Sequence, residues 1–471
     1  MPEAAGTGGR RITDERSPPW FGPTLALVVL GGLVARLAFV TFVRFPPLTL
    51  SSDAGFYRIT ATRIASGMGY VDRSLTRPDQ LSATATHPPL FSGLLAVFDL
   101  LGIHSVTGQR VALGIVTSSA VLLMGLLGRR VAGPMVGVAA AAIAAFNPLW
   151  LQPIAAIMSE SIYLVVVPLV LLQTLRCLER ASARRFVVLG ILLAGAVLIR
   201  SDAIGLILLL GVPLLLVVAV PWRNRALLGA ALLVGLIVVL GPWLIRNEVQ
   251  LGGAVLSDQQ GSTLAGSYCN ATFSPTSPTY GSFDGECAAV GTAEVFLGVK
   301  PPGGARQWTD LSLDSALTHY AEQYARNHLG SLPRMVLARE ASTWGLGNHS
   351  FQLALARAEG RNRSYEQAGW IVYWVMVPFV LIGGVVLARQ AWRRWLIVVA
   401  PLAVVAVNAA LVYGSTRLRV AAEPSLAVLA AVGAVAAADR IRLTFAAFPN
   451  RRRPRSGSSP PSTRPEVPAN S

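Results

Sequence analysis

The chain has 471 residues, of which 53% are hydrophobic and only 14% charged. Soluble domains carry about 25% charged residues, so this composition excludes an ordinary soluble protein and points to a polytopic membrane protein. The formal net charge is +16, from 40 Lys+Arg against 24 Asp+Glu. That excess does not indicate a nucleic-acid partner, because the arginines cluster between hydrophobic spans as the positive-inside rule requires.

Residues 1–22 are polar and hold Gly, Pro, Arg10, Arg11 and Arg16. They read as a disordered cytosolic lead without a cleavable signal peptide. A span needs roughly 20 apolar residues, and the first covers 23–44. Residues 45–108 form the first outer loop. It contains SSDAGFYRITATRIASGMGY, a helical pattern closed by a Gly-rich turn, and then THPPLFSGLLAVF. The apolar piece 88–102 is too short to cross comfortably and reads as an interfacial helix. Spans two to four follow at 109–128, 134–152 and 161–178. Spans five (186–199) and six (203–220) form a hairpin, and span seven (226–244) returns outward. Spans eight, nine and ten lie at 370–388, 395–413 and 421–438. Arg129, Arg130, Arg389, Arg393 and Arg394 then fall on the cytosolic side with both termini.

These spans give an all-α polytopic membrane protein with about ten transmembrane helices, juxtamembrane helices and a mixed extracytoplasmic segment. A transmembrane module (23–244) precedes that outer segment (245–369), which is followed by C-terminal spans (370–438) and a basic, disordered tail (439–471). The outer segment is Gly/Ser/Thr/Pro-rich over 252–285, and its remainder reads as a helix pair on the membrane surface. Its two cysteines, Cys269 and Cys287, lie 18 positions apart on the oxidising side, where a disulfide is natural. Two unpaired buried thiols are the alternative. No His or further Cys stands at ligand spacing for a structural metal.

Several polar residues converge on the outer face. Asp53 and Tyr57 leave the first span, and His87 precedes Pro88-Pro89. Glu160 follows span three, and Arg200 with Asp202 sits at the turn of the hairpin. Arg246 and Asn247 end span seven, while Arg417, Arg419 and Glu423 lie between spans nine and ten. Ionisable residues at membrane depth are costly and mark sites. Guanidinium forks suit a phosphate, and a carboxylate beside them suits a general base for an incoming hydroxyl. Each residue also has a structural reading. Arg200 and Asp202 close a hairpin; Arg417 and Arg419 snorkel to headgroups; Glu160 caps span four; Asp53 caps the helix that follows it.

The ordered motifs SSDAGFY, GMGY, HPPLFSGLLAVF, GRRVAGPMVG, IMSESIY, LIRSDAIGLIL, GPWLIRNEVQLGG and YGSTRLRVAAEPSL cover most of residues 50–430. In that order they resemble the GT-C superfamily of membrane glycosyltransferases. The nearest resemblance is to the polyprenyl-phosphate-sugar-dependent branch, which includes protein O-mannosyltransferases and lipid A aminoarabinose transferases. The resemblance implies sugar transfer from a polyprenyl-phosphate donor at the extracytoplasmic face, with inversion. It places the catalytic Asp of the first outer loop on Asp53 and the second acidic position on Glu160. Less directly, it places phosphate-binding positions on His87, Arg200, Arg417 and Arg419. Protein mannosyltransferases usually carry Asp-Glu in this loop, whereas Ala54 follows Asp53 here. No β-trefoil insertion is present, which disfavours a protein acceptor of that type. No cofactor is required by the pattern, although an Asp53–Glu160 pair holding a divalent metal is an alternative within the superfamily.

The expected partners are the lipid-linked donor, membrane lipids and a glycan, lipid or protein acceptor, in a cell membrane that the Arg/Ala-rich composition suggests is bacterial. A transporter or flippase of lipid-linked sugars, a non-catalytic membrane scaffold and a transferase using another lipid donor are the rival readings. A transporter would need charges along a path through the bilayer, whereas the charges here gather at one face.

Overall fold

The computed structural model describes residues 18–49, 52–74, 76, 79–298 and 308–447. The expected cytosolic lead with Arg10, Arg11 and Arg16, and most of the basic tail, lie outside these residues. The chain is a helical, multi-span membrane protein.

Helix α1 (Phe21–Phe42) leads to α2 (Asp53–Ala65). A two-stranded antiparallel hairpin follows, β1 (Val71–Arg73) against β2 (Leu81–Ala83), with Asp72 opposite Ser82. Next come α3 (Leu90–Leu100), α4 (Val106–Ala132), α5 (Pro134–Phe146), the short α6 (Gln152–Ala155), α7 (Glu160–Glu179) and α8 (Ala183–Ile199). A broken stretch, Ser201–Val217, contains α9 (Ile204–Leu206), a π-helical turn (Ile207–Gly211) and α10 (Val212–Val217). Helix α11 (Trp222–Leu251) follows.

Residues 245–369 hold α12 (Gln260–Ala265), α13 (Asn270–Phe273), α14 (Gly285–Gly298), α15 (Asp310–Asn327), α16 (Leu332–Thr343) and α17 (His349–Ala358). Helices α18 (Arg363–Leu411) and α19 (Glu423–Ala447) complete the chain. Among the described residues this segment is helix and loop, and the only strands are β1 and β2. The segment expected to be mixed, 245–369, thus combines loops with these helices. Cys269 and Cys287 are bonded to each other and tie α13 to α14.

Five helices among the described residues are long and apolar enough to cross a membrane, or six if the bent Pro134–Phe146 and Pro148–Ala155 pair is one span. The ten expected spans are not matched one for one. At 1.5 Å per residue, the 49 residues of α18 are about twice too long for one crossing. The helix breaks at Ala391 (φ −153°, ψ 61°), between Arg389 and Arg393, so expected spans eight and nine share it. Expected spans three, five and six fall on helices shorter than 18 residues, or on the broken stretch. The 11-residue α3 covers only about 16 Å, half the hydrocarbon thickness.

The helices approach closely where glycines face each other. A Cβ on Gly383 of α18 would stand 1.9 Å from the Leu429 carbonyl oxygen of α19, and one on Gly433 would stand 2.0 Å from that of Phe379. Backbone contact of this kind is how helices pack without a hydrophobic drive in lipid. It fixes the two helices that flank the turn carrying Arg417.

The span interiors are not entirely free of charge. Arg36 lies within α1 and is buried. Its guanidinium donates to the carbonyls of Gly32 (3.1 Å), Ala144 (3.0 Å) and Ala145 (3.5 Å). Ala144 and Ala145 close α5, whose last carbonyls lose their helical partners where Pro148 ends it. A cation at a helix C-terminus is favourable, so Arg36 is a structural cap.

Candidate functional site

Residues far apart in sequence meet at one end of the helices. Ser52, not Asp53, is the N-cap of α2, its hydroxyl accepting from Gly55 N–H at 3.4 Å. That corrects the capping reading of Asp53 and leaves its carboxylate free to face the site. Asp53 Oδ2 accepts from Arg417 Nη2 at 2.6 Å, and Oδ1 lies 3.6 Å from His87 Nε2. The His87 ring is held between Phe56 (5.1 Å) and Tyr57 (4.9 Å), and its carbonyl accepts from the Tyr70 hydroxyl at 2.8 Å. Tyr57 is buried one turn after Asp53 and donates to Ser159 Oγ at 3.2 Å.

Glu160 opens α7 after a tight turn. Within it Ile157 has φ +50°, the only positive φ of a non-glycine among the described residues. A β-branched residue there is strained, and the strained turn delivers Ser159 and Glu160 to the cluster. Glu160 Oε1 accepts from Arg200 Nη1 at 2.7 Å and, in a very short contact, from Arg417 Nε. Ser159 Oγ donates to Glu160 Oε2 at 3.3 Å. Glu160 is thus an ion-pair partner of two arginines rather than a helix cap alone. Arg200 also forks onto Asp202 through Nε and Nη2, both at 3.2 Å. It closes the hairpin and reaches the site at once.

Arg417 is the hub. It stands in a 3-10 turn, Thr416–Ala421, held by Gln352 of α17, whose Oε1 accepts from Thr416 N–H and Ser415 Oγ at 3.2 Å each. Besides Asp53 and Glu160, Arg417 donates to Glu359 Oε1 at 3.1 Å. Its three nitrogens therefore each hold a carboxylate, so it does not snorkel to headgroups.

Glu359 carries a second set of charges that the sequence reading missed. It accepts from Arg361 Nη2 at 2.5 Å, Arg361 Nη1 donates to Glu366 at 3.1 Å, and Gln152 Nε2 donates to Glu366 at 3.2 Å. The signal was present in AEGRNRSYEQ, a run of charges at the lip of a span, and the same rule would have found it.

Two expected members stand elsewhere. Arg419 is buried, bonds Glu423 at 2.8 Å and stacks 3.8 Å above Tyr373, so it does not reach Asp53. Arg246 donates to the carbonyls of Tyr70 (2.5 Å) and Thr84 (2.7 Å) and to Asn247 Oδ1 (2.8 Å). It anchors the hairpin loop that carries His87 and positions the site from behind.

Asp53 is the most open of these carboxylates, with 29% of its side chain exposed against 3% for Glu160 and 15% for Glu359. Burial works to raise the Asp53 carboxyl, but the Arg417 charge and the His87 contact outweigh it and hold it well below the usual carboxylate range. Burial and the Asp53 charge push the Tyr57 hydroxyl up. A divalent ion does not fit this set. Asp53 and Glu160 both face the fixed cation of Arg417, and among the described residues no three His, Cys, Asp or Glu side chains could hold a metal ion.

Residues 86–245 match the family described as dolichyl-phosphate-mannose-protein mannosyltransferase. No curated protein matches. Among solved structures, the chain is similar to the archaeal oligosaccharyltransferase AglB from Archaeoglobus fulgidus, in complex with an inhibitory peptide and a dolichol-phosphate. The TM-score is 0.52 at 15% identity, over 92% of this chain and 52% of that one. The apo oligosaccharyltransferase of the same organism gives 0.50 at 15% identity, over 91% and 51%. ArnT from Cupriavidus metallidurans bound to undecaprenyl phosphate gives 0.36 at 18% identity, over 92% and 82%. The chain therefore spans about half the length of the oligosaccharyltransferases whose membrane fold it shares.

Proposed function

We propose that the chain is a membrane glycosyltransferase of the GT-C type that moves a sugar from a polyprenyl-phosphate donor to an acceptor hydroxyl at the extracytoplasmic face. The observation that carries this reading is Asp53, an accessible carboxylate at a membrane lip, held 2.6 Å from Arg417 and 3.6 Å from His87. The match of residues 86–245 to a mannosyltransferase family supports it.

In the reaction, the acceptor oxygen attacks the anomeric carbon while the bond from that carbon to the phosphate oxygen breaks. The electron pair leaves with the polyprenyl phosphate, and the hydroxyl proton passes to an Asp53 oxygen. Direct displacement inverts the anomeric centre. Arg417 links Asp53 to Glu160 and, with Arg200, offers positive charge to the departing phosphate, while Glu160 fixes both guanidiniums. No step uses a metal.

The test is single turnover by purified protein in lipid nanodiscs, with a panel of radiolabelled polyprenyl-phosphate sugars. One donor is expected to lose its sugar, slowly to water and faster with acceptor. Tight donor binding without any release across the panel, acceptors included, would move the weight to a transporter.

The charge state of Asp53 adds a pH prediction. Its folded-state value is depressed, so it stays ionised across the working range. The stabilisation it gains from Arg417 is present above its unfolded value and is lost only as pH falls below about 4. Since kcat/KM reports groups of the free enzyme, the profile should show no acid limb above about pH 4. A limb centred near pH 5 would argue against Asp53 as the base.

A further inference from the structure

Every arginine of the carboxylate cluster is already paired. Glu160, Asp53, Glu359, Asp202 and Glu366 outnumber Arg200, Arg361 and Arg417. The unpaired guanidiniums nearby line a separate groove of about 670 Å³, between the chain leaving α1 and the junction of α17 with α18. They belong to Arg44, Arg357 and Arg363, and no acidic residue lines the groove. All three side chains are exposed, and none makes a hydrogen bond, ion pair or ring contact among the described residues. The floor is shaped rather than loose: Asn362 Nδ2 donates to the Arg44 carbonyl at 2.9 Å, and Asn362 Oδ1 caps the start of α18.

Three like charges around one concavity repel one another, and a bound anion relieves that repulsion. Snorkelling to scattered headgroups accounts for single arginines, but not for three from separate segments converging on a groove whose size is that of a ligand site. On the face proposed for the carboxylate cluster, unpaired arginines also run against the usual charge bias of membrane proteins. The lining includes Phe45 and Pro46, which directly follow α1, whose last residue, Phe42, is 81% exposed. That placement suits a ligand with a charged head and an apolar tail.

We propose that this groove binds the phosphate of an anionic phospholipid headgroup, with its tails along α1. The proposal goes beyond the transferase reading and needs only the membrane. Arg357 and Ala358 precede Glu359 directly, so the occupant lies beside the residue that holds Arg417.

The test uses the full chain in detergent with three probes: short-chain phosphatidylglycerol, short-chain phosphatidylcholine and inorganic phosphate. Binding to wild type is compared with the triple variant Arg44→Gln/Arg357→Gln/Arg363→Gln and with the matching triple Lys variant. Phosphatidylglycerol should bind wild type, weaken with salt, and lose affinity on the order of a hundredfold in the Gln variant, at roughly fivefold per arginine. The Lys variant should retain most of it. Inorganic phosphate bound as tightly, and lost in the same variant, would keep the phosphate site but assign it to a soluble ligand. Binding that the Gln variant leaves unchanged, or no binding of either anion, would overturn the proposal. Thermal unfolding without lipid checks that the variants fold. Since no probe is a glycosyl donor, failure here is distinct from failure of the transferase reading.

Discussion

Asp53→Asn is expected to reduce single-turnover transfer by about 10²–10⁴-fold, the usual contribution of a positioned general base, while donor affinity changes little. The amide keeps the size and shape of the carboxylate and still accepts from Arg417 through its oxygen, so the cluster loses a charge and a base but not its packing. A scaffold predicts no change, because it has no chemistry to lose. Comparing bound donor with released sugar in the same nanodisc sample separates the two. Transfer by the variant within threefold of wild type would remove Asp53 from the mechanism.

Arg417→Ala should act on the fold as well as on the chemistry. It strips the shared cation from Asp53, Glu160 and Glu359 at once, leaving carboxylates gathered without it. Breaking a buried pair by removing one partner costs about 3–5 kcal/mol. The lower end applies here, because Asp53 is 29% exposed and water screens part of the repulsion. The variant should unfold at a clearly lower temperature in thermal scans and bind donor weakly. Arg417→Lys should recover part of the stability, since one ammonium cannot hold three carboxylates in the guanidinium's fork. A variant with alanine at 417 that melts with wild type would show that the carboxylates find other partners.

Much of this site was legible as charges placed where apolar spans end. Asp53, Glu160, Arg200 and Arg417 all follow from that one rule. What the rule cannot give is the direction of a side chain. Arg417 and Arg419 are two positions apart in one turn, yet the first reaches Asp53 and the second is buried against Tyr373 and Glu423. Arg246 obeyed the rule and serves backbone carbonyls instead. Glu359, Arg361 and Glu366 also obeyed it and were passed over, because they close a long outer segment read for its helical period. The hairpin was invisible for another reason: three-residue strands are too short to show an alternation of two. The ten spans do not map one for one onto helices because the helices bend or break, as at Ala391 within α18 and at Pro148 after α5.

The 364 residues that separate Asp53 from Arg417 have a consequence for biosynthesis. At about 5–20 residues per second, Asp53 leaves the ribosome roughly 20–70 s before its cation. Until the turn between the last two helices arrives, Asp53 lacks that partner and Glu160 has Arg200 alone. The ion pairs that organise the site thus close only when the final hairpin of helices has been inserted. A chain truncated ahead of Thr416 would present exposed acidic groups at the membrane surface, a feature by which quality control can distinguish an unfinished molecule from a finished one.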